Sequence, residues 1–166
     1  MTVCADLAQP VATAWSVAMQ SKDLAGKWTY RSFRNNPAPT NGDPELLGKL
    51  LFAEAEFTFE VVSETTMKGI IDWGGHGLDL TGSIQPASGD APLTLAMVGL
   101  GRAGPPGDPG STEGWEYDYH AYAAHEWPNG VNQAPALVGS VIRAKPHGGA
   151  PAGYVASFIA VKQSLA

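Results

Sequence analysis

Cysteine occurs once, at Cys4, so the chain can form no internal disulfide and carries no Cys-rich metal site. Charge is also scarce, at 16% of residues against a usual share of about 25%. Ten Lys and Arg face 16 Asp and Glu, a net charge of −6, and no basic cluster occurs. Nucleic acid and anionic membrane surfaces are therefore poor partners. No apolar run approaches the roughly 18 residues that a membrane-spanning helix needs. The first residues lack a basic n-region, and Gln9 and Pro10 interrupt them, so no secretory leader is expected. With the lone cysteine, this points to a reduced, cytoplasmic setting.

Catalytic signatures are missing as well. The histidines, His76, His120, His125 and His147, form no His-x-His or His-Glu-x-x-His pattern. His120 and His125 are five apart, so on a continuous strand they face opposite ways and cannot share a metal. There is no Gly-x-Ser-x-Gly elbow. The glycine run Gly74-Gly75-His76-Gly77 is followed by no helix that would hold a phosphate. Neither a metal nor a nucleotide cofactor is expected.

Turn-forming residues are abundant. The 20 Gly and 13 Pro make up about a fifth of 166 residues, against a usual share of roughly 12%. That argues against a helical bundle and for short strands joined by turns. Val11, Trp15 and Ala18/Met19 recur at helical spacing after Pro10, which predicts one short helix ended before Gly26. Residues 1–25 are thus expected to be an N-terminal segment with a short helix, and 26–166 a single β-barrel domain. From Gly26 onward the period is two.

Eight strand-like runs follow, at Gly26–Phe33, Leu51–Val62, Thr66–Trp73, Leu78–Ile84, Pro92–Gly101, Gly114–Ala123, Pro135–Ala144 and Gly153–Lys162, each bounded by turn formers. No helix long enough for βαβ crossovers lies between them, so the sheet is antiparallel. Barrel and sandwich both fit, and the short connections favour an eight-stranded antiparallel up-and-down barrel with the N-terminal helix plugging one end. Charges alternate with rings along the runs. Because an unpaired buried charge is costly, the rings face in: Trp28, Tyr30, Phe57, Phe59, Trp73, Trp115, Tyr117 and Tyr119. Strands five, seven and eight are apolar on both faces, the pattern of a surface covered by the N-terminal helix or a second subunit. A homo-oligomer joined through strands seven and eight is expected.

Connections one, three, five and seven of such a barrel share one end, and three of them are long. That end is the expected mouth, with Arg34, Asn35, Asn36, His76, Arg102 and His147 on its rim, where they would catch an anionic or carbonyl group. The fifth connection, Gly- and Pro-rich, is a candidate lid. The expected ligand-binding set is Trp28, Tyr30, Phe57, Trp73, Trp115, Tyr117 and Tyr119 with Arg34 and Arg102. If the cavity also catalyses, Tyr119, His76 and His147 are the candidate catalytic residues. The partner is then a small, mostly apolar or aromatic molecule. A cofactor-free isomerase or cyclase using the same cavity, and a filled barrel acting as an interaction protein, are the alternatives.

Gly26-Lys27-Trp28, opening the first strand after a short helix, resembles the Gly-x-Trp start of lipocalins and the similar start of avidin-type barrels. Membership of that calycin group implies an eight-stranded barrel holding a small, mostly apolar ligand. The lipocalin Thr-Asp-Tyr motif is missing, since Asp118-Tyr119 lacks the Thr. Lipocalins also carry a last-strand Arg that packs on the Trp; Arg143, on the seventh strand, is the candidate here. No avidin-type biotin set can be placed. Allene oxide cyclase and dirigent-like proteins have a similar barrel, a likeness of shape alone.

Overall fold

A computed structural model describes residues 18–164, apart from 37, 105–107, 109, 125 and 127–129. The helix expected after Pro10 lies outside these residues. Eight antiparallel strands close into one barrel in sequence order, β8 returning to pair with β1. They are β1 (Gly26–Arg34), β2 (Leu51–Ser63), β3 (Thr66–Asp72), β4 (Gly77–Gln85), β5 (Thr94–Gly101), β6 (Glu116–Ala123), β7 (Ala136–Arg143) and β8 (Val155–Lys162). The all-β, up-and-down architecture is the one the period-two pattern predicts, and it is consistent with a calycin-like barrel. No helix among the described residues is long and apolar enough to cross a membrane.

Alternation sorts the faces as expected. On β1, Trp28, Tyr30 and Ser32 are buried while Lys27, Thr29 and Arg31 are exposed. Across the outer face of β1, β2 and β3, Lys27 pairs with Glu56, Arg31 with Glu54 and Lys68 with Glu60, at 2.7, 2.7 and 3.1 Å. Among the described residues, the outer faces of β7 and β8 carry no such pairs. There Val138 and Ile159 sit side by side, next to Tyr122 of β6, and all three are exposed.

One end is sealed by residues just before β1. Ser21–Leu24 form a single 3-10 turn, with Gln20 and Asp23 capping each other. Leu24 is fully buried, and its carbonyl accepts the indole N–H of Trp28 at 2.8 Å. The Ser21 hydroxyl donates to the Glu64 carbonyl in the β2–β3 turn at 2.8 Å. Lys162 of β8 lies opposite Trp28 in the ladder, with its ammonium 5.8 Å from the ring centre and hydrogen-bonded to the Asp23 carbonyl. The cation on Trp28 is therefore Lys162 of the last strand. Arg143 emerges at the other end of the barrel, because β7 ends there.

The first connection contains an unexpected helix, α1 (Pro44–Leu50). Asp43 caps it by accepting from the Glu45 and Leu46 amides at 2.8 and 3.4 Å, and Pro44 supplies a favourable first residue. It is short and exposed, which is why no apolar periodicity announces it.

A cup at the open end

The lower half of the barrel is filled with side chains, as eight-stranded barrels usually are. Trp28 packs on Phe59 with ring centres 6.2 Å apart, and Phe59 stacks on Phe57 at 4.9 Å. Above them Tyr30 and Tyr119 lie edge-on to Phe57, at 4.8 and 5.8 Å; against Phe158, Tyr30 is tilted at 5.2 Å and Tyr119 edge-on at 6.1 Å. These two tyrosines form a floor. Over it opens a cup of about 460 Å³, walled by Trp73, Trp115, Tyr117, Val141 and Arg143, with Phe52, Ala53 and His147 near its lip.

The lip is built by local turn chemistry. Between β7 and β8 the backbone of His147 and Ala150 pairs in both directions at 3.2 and 3.0 Å. The two residues between, Gly148 and Gly149, have φ of 58° and 77°, the left-handed pair that a tight hairpin turn requires. This turn lays the His147 ring flat on Trp115, 3.9 Å between centres and 17° between planes. Trp115 in turn stacks on Trp73 at 6.2 Å.

Arg143 follows Leu137 and Val141 on the inward face of β7, opposite Tyr117 of β6. It is only 9% exposed. Its Nε donates to the Tyr117 hydroxyl at 3.4 Å and to His147 Nε2 at 3.2 Å, and its Nη1 to the Pro151 carbonyl at 3.4 Å. The guanidinium is 5.9 Å from the Tyr117 ring centre and 5.8 Å from that of Tyr154. Among the described residues no carboxylate comes within ion-pair distance of it.

The expected set is brought together only in part. Tyr30, Trp73, Trp115, Tyr117 and Tyr119 share the cup. Trp28 and Phe57 point inward too, but lie beneath the floor in the packed half. Arg34 sits outside the cup, its guanidinium 6.0 Å from the Phe52 ring centre. Arg102 is drawn away by the β3–β4 region, 3.1 Å from Asp79 Oδ1 and 4.0 Å from Asp72 Oδ2, with Nη2 near the Ile71 and Leu78 carbonyls. His76 leaves the cup as well, 3.7 Å from Asp108 of the fifth connection. The described part of that connection is anchored rather than draped over the mouth. The Thr112 hydroxyl donates to the Gly77 carbonyl at 2.6 Å and accepts from the Arg102 amide at 2.9 Å. His125 lies outside the described residues.

The titrating groups behave as their surroundings dictate. Burial raises the Tyr30 phenol, an effect the Ser32 hydroxyl partly offsets. Burial also lifts Tyr119 well above the ordinary range, reinforced by Tyr30 and Tyr117. Both remain neutral donors near pH 7 and are unsuited to act as bases. Burial first, and Arg143 second, lowers His147 below its ordinary 6.5. Its Nε2 accepts from Arg143, so in the neutral ring the proton belongs on Nδ1. Because the folded chain resists this protonation, the unfolded chain takes up the proton first as pH falls. Stability linked to His147 is full above pH 6.5 and is lost as pH drops through the lowered folded value. The fall in Tm between about pH 7 and about pH 5 should therefore be smaller in His147→Gln than in the parent chain, a comparison made by paired thermal melts.

No family model, curated protein or solved structure matches this chain. What it does is read from the barrel and its cup.

Proposed function

We propose that the protein is a calycin-like binding barrel that takes a small, mostly apolar or aromatic molecule into the cup. The observation that carries this reading is the open cavity of about 460 Å³ between a packed tyrosine floor and a stacked Trp73–Trp115–His147 wall. Its volume falls within the range of roughly 300–1,000 Å³ common for small-molecule sites. The Tyr119 hydroxyl has no protein hydrogen-bond partner among the described residues, so a polar atom of the guest, or water, would complete it. Binding is favoured over proton-transfer catalysis by the state of the candidate bases: His147 spends its lone pair on Arg143, and His76 is outside the cup.

The direct test is native mass spectrometry of gently purified protein, followed by the denatured mass of the same sample. Extra mass that disappears on denaturation, and is displaced by competing aromatic compounds, is the expected result. Saturating screens of such compounds that leave Tm unchanged would overturn the reading. A guest at 100 times its Kd should add about 2.7 kcal/mol of stability.

We also propose that the uncharged outer stripe around Val138 and Ile159 joins two copies of the chain. Three exposed apolar side chains in neighbouring ladder positions support it, against the ion-paired outer face of β1–β3. Ile159→Lys should then halve the mass seen by sedimentation while leaving Tm of the released subunit near its parent value. A monomeric parent chain would dismiss the contact.

A further inference from the structure

Arg143 is the charge in the cup that no carboxylate among the described residues answers. Five N–H groups radiate from a guanidinium, and here only the single one of Nε, shared between two acceptors, and one of Nη1 find partners among the described residues. Those acceptors are a phenol, an imidazole and a carbonyl, all neutral. The remaining N–H groups, including both on Nη2, have no protein partner among the described residues, although the side chain is 9% exposed and lines the cup. A buried cation without a counter-ion is expensive. The rings of Tyr117 and Tyr154 soften that cost without neutralising it.

The other charges nearby are already engaged. Glu54, at the edge of the cup, is held by Arg31 at 2.7 Å, and Glu116 by Lys145 at 2.5 Å. His147 is kept neutral by its burial and by Arg143 itself. The site thus presents one fixed positive charge, in a fork geometry suited to two oxygens, beside aromatic walls.

We propose that the cup takes a small aromatic or apolar carboxylic acid, its carboxylate seated on Arg143 and its body against Trp115 and the Tyr30–Tyr119 floor. This rests on the binding reading above and gives that reading a ligand class. A monoanion matches a single guanidinium; a phosphate dianion would leave a charge uncompensated. The Tyr117 hydroxyl and the His147 ring hold the guanidinium through Nε, which leaves the Nη2 N–H groups without a partner among the described residues.

The experiment is isothermal titration calorimetry of the full chain with three probes of one shape: 1-naphthaleneacetic acid, its neutral amide, and 1-naphthyl phosphate. The acid should bind at least about tenfold more tightly than the amide, since only the acid brings a negative charge to the guanidinium. Arg143→Leu should remove that preference, bringing acid and amide to within about twofold of each other, and Arg143→Lys should restore part of it. The comparison within the parent chain stands even where Arg143→Leu fails to fold. Acid and amide binding alike would overturn the carboxylate assignment while leaving the cup a binding site. Tighter binding of the phosphate would overturn it in favour of a dianion. No binding of any probe, together with an unchanged Tm, would end both this proposal and the binding reading beneath it.

Discussion

Trp28→Ala should destabilise the protein by about 3–5 kcal/mol, the usual cost of deleting a large buried aromatic. Trp28 is fully buried, and three separate links at the sealed end pass through it. Its indole N–H ties the strand to Leu24, its face supports the Lys162 ammonium, and its edge packs on Phe59. Removing the ring leaves a cavity where β1, β8 and the 3-10 turn meet. Urea titrations of Trp28→Ala and Trp28→Phe would measure it. The Phe variant keeps most of the buried area and should lose much less. Because Trp28 lies beneath the floor, affinity at the cup should be unchanged in whatever fraction stays folded. An affinity loss as large as the stability loss would mean the two halves of the barrel are not separable in this way.

The second large effect is the converse, a loss of binding at little cost in stability. Ala53→Trp places an indole at the lip of the cup, where Ala53 now leaves open space beside Phe52. Affinity for the guest should fall by about 100-fold or more, equivalent to about 2.7 kcal/mol. The added ring grows into a cavity rather than a packed core, so the strain of overpacking is avoided. Native mass spectrometry reads the occupancy and a thermal melt reads the fold. Full occupancy of a folded Ala53→Trp variant would show that the guest sits elsewhere.

The barrel was legible in the sequence because its signals are local. Period-two alternation and Gly- or Pro-bounded breaks give the eight strands to within two residues of their observed ends. Pro92 and Leu93 are lost from β5, and Gly114 and Trp115 from β6, since the ladder starts only where partners face each other. The helix at Pro44–Leu50 was written in Asp43-Pro44-Glu45, a cap and a first-turn proline, but seven residues with none buried leave no periodic trace.

The site was half legible. Parity says whether a side chain points in or out. It says nothing about height along the barrel axis, which depends on the stagger of the whole closed sheet. Hence Trp28 and Trp115 read alike, though one ends under the floor and the other in the wall. Arg143 was available to the same parity rule, being in phase with Leu137 and Val141, and reading the alternation to the end of β7 would have found it. Arg102 and His76 could not be placed this way. Their position depends on where Asp72, Asp79 and Asp108 lie in space. The backbone amides of Gly75 and Gly74 hold Asp72 below the ordinary carboxylate range, so it is an anion ready to take up the nearby guanidinium.

The tyrosine floor also divides the chain by what substitution can do to it. Below it, each side chain is wedged among others, and a change is felt as lost stability. Above it, residues such as Ala53, Val141 and His147 border empty space. Lineages carrying this barrel would be free to exchange the upper residues one at a time, trading one guest for another, while the lower half stays fixed. Divergence among its relatives should therefore run along the barrel axis, steep at the mouth and shallow near Trp28, rather than around the circumference.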